Sequence, residues 1–376
     1  MSDLAPQPTT SLTRLAVLSH AVIARHQHTD GAYPASPPFS AYQGFAWFRD
    51  GAFIADGMSR YGNVESASRF HDWCGRVLAD RHDHVNELLA AAAAGESPAL
   101  DRMLPTRFTL DGNDGQVPWP DFQLDGYGTW LWSVIAHSDR HVLDPARWSR
   151  GIDVAVDYLA AFWDRPCYDW WEEQVEHRHV STLGPIAAGL GAVAASGVLT
   201  LERAGRARQA ARDIRVRVLT EGVHDGHLTK WLGAAEVDAS LLACIVPFGL
   251  IAVDDPIAAR TIHVVRRDLV FGHGTHRYAA DVFYGGGQWP LLTCLLGWNL
   301  LAAGDIEGAR ACLAWAADQA DPSGLLPEQT AYHLLAPEHR QEWIDRWGTV
   351  ATPLLWSHAM YLTLAVELGL HGQRPS

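Results

Sequence analysis

Residues 288–319, QWPLLTCLLGWNLLAAGDIEGARACLAWAADQ, carry apolar side chains at the 3.6-residue spacing of an α-helix on both sides of one short link, GD at 304–305. Because so few residues separate the two periodic segments, their helices must lie side by side and antiparallel. The stretch therefore predicts a helical hairpin, with helices at 288–303 and 305–319.

The same periodicity recurs along the whole chain, and strand-like alternation is confined to short pieces near 226–231. The chain has 376 residues, enough for two average domains or one large core, but no linker marks a second domain. We therefore expect a single domain over 1–376. The other ten predicted helices span 11–27, 50–61, 64–93, 126–138, 146–163, 183–196, 199–220, 238–248, 255–268 and 353–369.

The connections between these helices alternate between short and long. The long ones span 28–49, 94–125, 164–182, 221–237, 269–287 and 320–352. Since short links make neighbouring helices antiparallel, all six long loops must emerge at one end. This pattern predicts an all-α fold, an (α/α)6 barrel of six helical hairpins with an inner and an outer ring, whose long loops form a cup. An open α-solenoid is the alternative, although no repeat of fixed period is visible.

The charge and the cysteines limit location and partners. The formal net charge is −14 and the 29 basic residues form no run, so neither nucleic acid nor an anionic membrane is an expected partner. The N-terminal MSDLAPQPTT lacks the features of a signal peptide, and no apolar run reaches the roughly 18 residues of a membrane span. Five cysteines without CxxC spacing favour free thiols. We expect a cytoplasmic protein, whose oligomeric state the sequence does not indicate.

Tryptophan is the most informative residue type in the composition. The chain has 16 tryptophans, and many of them stand in or beside the predicted long loops. Each one alone is explained by packing of its loop, but a shared rim of indole rings suits the apolar face of a sugar ring. These loop tryptophans are Trp47, Trp119, Trp163, Trp170, Trp171, Trp231, Trp289, Trp343, Trp347 and Trp356.

Polar side chains accompany the tryptophans on the same loops. WFRDG places Arg49 and Asp50 at the start of a predicted helix, where Asp50 is equally suited to be an N-cap and Arg49 a surface residue. Arg277 precedes a glycine run, 285–287, which lacks the spacing of a phosphate-binding loop. We interpret these residues as candidates to bind sugar hydroxyls.

Two loops supply candidate acids. One is YDWWEEQVEH, 168–177, with Glu172, Glu173 and Glu176; the other is SGLLPEQTA, with Glu328. Glycoside hydrolysis needs a carboxylic acid to protonate the leaving oxygen and a carboxylate on the opposite face. Tryptophans beside the first loop would raise the pKa of a carboxyl there, whereas Glu328 would have to stay ionised. Solvated surface charges are the alternative for each glutamate.

Other kinds of site find little support. The histidines have no HExxH spacing and no matching cysteines or carboxylates, so we expect no metal. No GxSxG or Cys/His arrangement indicates a nucleophile. No cofactor is implied.

Taken together, the loop motifs resemble those of glycoside hydrolase family 15, the glucoamylase family. The resemblance covers most of the chain, and its motifs are FAWFRDG (45–51), YDWWEEQ (168–174), EVDASLL (236–242), RYAADVFYGGGQW (277–289), GLLPEQT (324–330) and ATPLLWSHA (351–359).

The resemblance implies roles for individual residues. It makes Glu172 the general acid and Glu328 the general base that activates water. It implies sugar-binding roles for the residues that match the family's pocket, to which the two loop tryptophans Trp119 and Trp289 are added. This predicted binding set is Trp47, Arg49, Asp50, Trp119, Trp171, Glu173, Arg277, Trp289 and Trp356. The family's tyrosine ahead of Trp47 has no clear match, since Gln43 stands near that place.

The implied function is an exo-acting, inverting α-glucosidase. The chain shows neither the starch-binding module nor the β-sandwich of secreted relatives, so the expected substrate is isomaltose or a short α-1,6-linked gluco-oligosaccharide, from which β-glucose is released. Activity on α-1,4 links or trehalose is the near alternative. A sugar epimerase or isomerase that uses histidines such as His276 or His358, and a non-catalytic sugar-binding protein, are more distant ones.

Overall fold

The structure is a computed structural model that describes residues 9–371. In this part of the chain, thirteen α-helices alternate with loops. They are α1 (Thr9–His26), α2 (Phe48–Tyr61), α3 (Val64–Ala79), α4 (His82–Ala93), α5 (Asp125–His141), α6 (Ser149–Phe162), α7 (Val180–Ser196), α8 (Leu201–Glu221), α9 (Pro256–Leu269), α10 (Pro290–Ala302), α11 (Ile306–Ala317), α12 (Arg340–Trp347) and α13 (Leu355–Glu367).

Three short antiparallel strand pairs lie in the loops of residues 9–371. They are β1 (Phe45–Trp47) with β2 (Arg107–Thr109), β3 (Val223–His224) with β4 (His227–Leu228), and β5 (Val270–Phe271) with β6 (Gly274–Thr275). The β1–β2 pair joins two of the long loops and holds Trp47 opposite Arg107.

Six helical segments close an inner ring. In order around the ring these are α2, α5, α7, the 3₁₀-helix Ala239–Cys244, α10 and α13, and α13 packs back against α2. The helices α1, α3, α6, α8, α9 and α11 pack outside them. The fold is therefore the (α/α)6 barrel, as predicted, and the closed ring excludes an open solenoid. Every long loop leads into the N-terminus of an inner segment.

The sequences of the two rings differ as their positions require. In the inner helix α10, PLLTCLLGWNLLA, eleven consecutive residues are buried, from Pro290 to Leu300. The outer helix α8 buries only one stripe of side chains, at 204, 207, 210, 214 and 218. A helix that is apolar on all sides needs neighbours all round, whereas a single stripe suits the outer layer.

Glycines allow the inner helices to approach closely. A Cβ on Gly128 of α5 would stand 2.6 Å from the Cα of Ile186, and one on Gly189 of α7 would stand 2.3 Å from the Gly128 oxygen. No side chain fits at these distances, so glycine at both positions sets the spacing of α5 and α7.

Three predicted features were wrong. The predicted helix 64–93 is two helices, α3 and α4, because Arg81 at the break donates to the Val77 and Gly112 oxygens and so ties the end of α3 to a loop. The predicted helix 238–248 is only a 3₁₀-helix up to Cys244, and Pro247 cannot continue it. The α12 segment was assigned to a loop, but it is helical.

One large hydrophobic core extends from Leu12 to Leu370. All five cysteines are buried with free thiols, as predicted. Within 9–371, no helix has the length and apolar character required to cross a bilayer. The expectation of one catalytic domain over 1–376 stays a prediction, and both ends of that range lie outside the described residues.

Candidate active site

The long-loop face contains a cavity of about 520 Å³, within the size range of about 300–1,000 Å³ that small-molecule sites have. All eleven residues predicted for the site line it. They are Trp47, Arg49, Asp50, Trp119, Trp171, Glu172, Glu173, Arg277, Trp289, Glu328 and Trp356. The structure thus brings together residues from five long loops and the starts of three inner helices.

Aromatic side chains close the bottom of the cavity. Phe53 of α2 stacks on Trp356 of α13 with ring centroids 5.2 Å apart, and it also contacts Trp170 and Phe248. Phe248 in turn packs edge-on against Trp132 of α5. These rings fill the centre of the barrel, so the cavity has a closed floor and does not continue through the molecule.

Arg49 and Asp50 lie in the first turn of α2, and both are buried. Arg49 donates to Gln123 at 2.6 Å and to Asp125 at 2.9 Å, and its Nε lies 3.7 Å from Asp50. The alternative of a capping aspartate with a surface arginine is wrong, because the N-cap residue is Trp47. Burial raises the pKa of Asp50 to about 7, although Arg49 opposes the shift.

A second buried arginine stands across the cavity. Arg277 forms a two-point ion pair with Asp281, with distances of 2.8 and 2.5 Å. Its Nη2 also lies 3.3 Å from Glu173, which accepts a hydrogen bond from Tyr278. The guanidinium is packed among rings, with its carbon 5.1 Å from the Trp171 centroid and 5.4 Å from that of Trp289. These contacts fix the orientation of Glu173.

The loop that carries Glu172 is tightly folded around one aspartate. Asp169 accepts hydrogen bonds from the backbone N–H groups of Trp171 and Glu173, each at 2.9 Å. Glu172 itself has a φ of 66°, a left-handed conformation that is costly for any residue but glycine and persists only where contacts enforce it. The strained backbone directs Glu172 into the cavity.

The Glu172 carboxyl meets indole groups in the cavity. Trp47 Nε1 donates to its Oε1 at 2.7 Å. Burial raises the pKa of Glu172, while the indole N–H groups of Trp119 and Trp47 and the Arg49 cation act against the shift. The direction is the one expected for a proton donor.

A buried lysine supports this loop from behind. Lys230 Nζ lies 3.7 Å from Asp169, 3.3 Å from Asp238 and 3.2 Å from the centroid of the Tyr278 ring. Asp238 also accepts a hydrogen bond from Trp171 Nε1 at 2.9 Å. Lys230 therefore connects the loop of Glu172 with the ring that holds Glu173.

Glu328 is buried on the other side of the cavity. Its Oε1 accepts a hydrogen bond of 2.9 Å from the Tyr42 hydroxyl, while its Oε2 has no hydrogen-bond partner in the protein. Burial raises the pKa of Glu328 to about 8; Tyr42 and Arg277 oppose the shift, and Asp50 and Glu172 add to it. Glu328 therefore does not have the low pKa that was expected of an ionised base.

The structure corrects the interpretation of the residue ahead of Trp47. Gln43 is exposed and does not line the cavity, whereas Tyr42 lines it and contacts Glu328. The sequence shows this tyrosine only one position away. Other residues of the site were missed because their role is to pair with a buried arginine or lysine: Gln123, Asp125, Asp281, Asp169 and Asp238.

Several residues that the sequence suggested for a functional site lie outside the cavity. Trp163 and Trp231 do not line the cavity, and Glu176 is an exposed surface charge. The epimerase alternative is not supported, because the buried His276 bonds a backbone oxygen and His358 bonds Ser19 and the Leu326 N–H, away from the cavity. In residues 9–371, no group of His, Cys, Asp or Glu is arranged to hold a metal ion.

The relatives of the chain agree with this geometry. An isomaltose glucohydrolase from Kribbella flavida is 63% identical over 96% of this chain and 94% of its own. A glycosidase variant solved in complex with glucose is 62% identical, with a TM-score of 0.95 over 97% of this chain and 98% of its own. The glucoamylase of Saccharomycopsis fibuligera is only 13% identical but has a TM-score of 0.75 over 97% and 96% of the two chains, which shows the shared fold.

A comparison with protein-family models also identifies a family of glycoside hydrolases. The model described as glycosyl hydrolases family 15 matches residues 11–316, a segment that includes Glu172 and ends before Glu328. The full-length similarity to the Kribbella enzyme extends past that point. The chain therefore belongs to glycosyl hydrolase family 15.

Proposed function

We propose that the chain is an exo-acting, inverting α-glucosidase that releases β-glucose from isomaltose and short α-1,6-linked gluco-oligosaccharides. The observation that carries the proposal is a pair of carboxyls, Glu172 and Glu328, in one closed-ended cavity of a family 15 fold. The name of the 63% identical relative, isomaltose glucohydrolase, supports the choice of linkage.

In this proposal Glu172 is the general acid. Its raised pKa keeps it protonated at a pH where a solvated glutamate is ionised. As the bond between the anomeric carbon and the glycosidic oxygen breaks, the Glu172 proton passes to that oxygen, and the leaving sugar departs as a neutral alcohol.

Glu328 is the general base. Tyr42 holds one of its oxygens, and the other has no protein partner, so that oxygen is available to a water. The water attacks the anomeric carbon from the face opposite the leaving group and gives its proton to Glu328, which inverts the configuration. Because the Glu172 charge raises the pKa of Glu328, protonation of Glu172 favours ionisation of Glu328. The coupling therefore disfavours ionisation of both carboxyls at once.

The terminal glucose is bound between the two buried arginines. Arg49 and Arg277 are cationic, Asp50 and Glu173 lie beside them, and all four line the cavity. Charged groups that are already fixed in place form strong hydrogen bonds to hydroxyls without further loss of side-chain entropy. The closed floor accepts only the end of a sugar chain, which accounts for exo-action.

The test is the initial rate of glucose release from equal concentrations of isomaltose, maltose and trehalose. We expect isomaltose to be cleaved fastest and isomaltotetraose to give glucose and isomaltotriose first. Faster cleavage of maltose or trehalose would overturn the linkage, and early isomaltose from isomaltotetraose would overturn exo-action. Glu328→Gln enzyme purified in parallel controls for contaminating glucosidases.

A cytoplasmic location is part of the same proposal. Five buried free thiols are typical of a protein from a reducing compartment. Cell fractionation followed by immunodetection tests it, and recovery of the enzyme from the culture medium would contradict it.

A further inference from the structure

The mouth of the cavity has an aromatic wall that none of the assigned roles uses. Trp343, Arg346 and Trp347 of α12 line the cavity next to Val117–Pro120. Arg346 is exposed, and its guanidinium carbon lies 4.6 Å from the Trp347 centroid and 5.5 Å from that of Trp343. No residue of α12 is fully buried. A helix that is only partly buried and presents two indoles and a cation to a cavity is suited to contact a ligand.

This wall is continuous with the rings beside both carboxyls, because Trp47 donates to Glu172 and also packs against Tyr42, the donor to Glu328. From Glu172, the ring contacts run outward through Trp47 to Trp119, with centroids 6.1 Å apart, and from Trp119 to Trp347, with stacked rings 6.1 Å apart. In glycoside hydrolysis the leaving sugar lies on the side of the general acid, because the acid protonates its oxygen. In the proposed function the terminal glucose lies at the closed floor, so the leaving sugar lies towards the mouth, where Trp119 and the α12 residues line the cavity.

The anchoring of α12 consists mainly of aromatic contacts: Trp347 stacks on Trp119 and packs edge-on against Phe283, whose ring lies beside Arg277. The helix belongs to a small second hydrophobic cluster built on Phe39, Tyr284 and Ala351, apart from the main core. Trp343 packs edge-on against Phe283 at 4.8 Å and donates to the Val282 oxygen at 3.2 Å. Neither Arg49 nor Arg277 contacts α12 in the hydrogen bonds and ion pairs of residues 9–371. Changes in α12 should therefore leave the hydrogen bonds and ion pairs of Arg49 and Arg277 intact.

We propose that Trp343, Arg346 and Trp347, together with Trp119, form the binding site for the leaving glucosyl unit. This inference rests on the proposed function. The indole rings contact the C–H face of the sugar, and Arg346 donates to its hydroxyls. An α-1,6 link adds a rotatable bond between the two sugar rings, so the leaving unit is more variable in orientation than in a 1,4 link. A flat aromatic surface accepts such variation better than a set of directional polar contacts does.

The experiment compares two substrates that share the glucosyl group and differ in the leaving group. Isomaltose has a sugar there, whereas α-glucosyl fluoride has only fluoride. Trp347→Ala and Arg346→Ala should lower kcat/KM for isomaltose by about tenfold, the scale of one lost aromatic or cation contact. Both variants should keep kcat/KM for the fluoride within about twofold, since that substrate makes no contact with α12.

The controls separate binding from folding. Gln341→Ala lies on the same helix, away from the cavity lining, and should match the wild type on both substrates. Arg346 is exposed, so its variant tests the inference even where Trp347→Ala unfolds. An equal loss on both substrates, or no loss on isomaltose, would overturn the proposal. If the wild type cleaves maltose rather than isomaltose, the proposed linkage fails, and the same comparison of maltose with the fluoride decides the role of α12.

Discussion

The inner and outer halves of the cavity are built by different means. The inner half is ionic and buried, with Arg277 and Asp281 at 3% and 0% side-chain exposure. The outer half is aromatic and partly exposed, and the polar contact at the start of α12, between His339 and Glu342, joins side chains that are 42% and 60% exposed. Buried ion pairs hold side chains in one geometry, whereas exposed ones add little. The molecule thus fixes the terminal glucose rigidly and leaves the second sugar to an adaptable surface.

The largest expected difference between the halves is in stability. Asp281→Ala leaves Arg277 buried without its two-point partner and should lower the free energy of unfolding by about 3–5 kcal/mol. The matched outer-half variant, Glu342→Ala, should change it by no more than about 0.5 kcal/mol. Urea unfolding of both variants measures the contrast. Similar changes in the two would remove the distinction between a rigid and an adaptable half.

Loss of either carboxyl should abolish most activity on isomaltose, whose leaving sugar needs a proton and whose hydrolysis needs an activated water. Glu172→Gln and Glu328→Gln keep the shape of the side chains but remove the acid and the base, and each should lower kcat at least about a hundredfold. Steady-state kinetics on isomaltose measure this. Turnover close to that of the wild type in one variant would exclude that residue from its catalytic role.

A smaller loss of activity, equal on both substrates, is expected from a change at Lys230, which supports the loop of Glu172. Lys230→Met leaves Asp169 and Asp238 without their buried cation, so the loop of Glu172 should lose its fixed orientation. We expect kcat to fall about tenfold on isomaltose and on α-glucosyl fluoride alike. The α12 variants should affect isomaltose alone. If Lys230→Met lost activity on isomaltose but not on α-glucosyl fluoride, this division of roles would be contradicted.

The smallest expected effect is on the pH dependence of the free energy of unfolding. The folded pKa of Glu328, about 8, is raised above its ordinary value of 4.5, so its stabilising contribution is complete below pH 4.5 and is lost as the pH rises towards 8. From pH 6 to pH 7 the wild type should lose about 1 kcal/mol more stability than Glu328→Gln, whose side chain does not ionise. Urea unfolding at several pH values tests this, and parallel curves would contradict it.

The barrel was predictable because its determinants are local. Apolar periodicity and loop length mark a helix pair such as α10 and α11 without knowledge of the rest of the fold. The errors arose where a distant contact decides local structure, as at Arg81, whose bond to Gly112 helps to end α3. The helix α12 was missed because its fixed contacts come from the loop around Phe283 and Tyr284, far away in sequence.

The site was predictable to the extent that its residues lie in motifs. Glu172, Glu328 and their neighbours were found, but their chemical states were not, because the pKa of Glu328 depends on Asp50 and Glu172 across the cavity. Partners such as Asp281 and Lys230 were missed for the same reason. Nothing in a single sequence tells which carboxylate meets which buried cation.

The anomer of the first product tests the central claim, an inverting reaction by Glu172 and Glu328, most directly. Proton NMR of isomaltose hydrolysis, recorded before the released glucose equilibrates, distinguishes the two anomers by their H1 signals. Our account predicts that β-glucose appears first and that the α-anomer follows only by mutarotation. Initial release of α-glucose would contradict it.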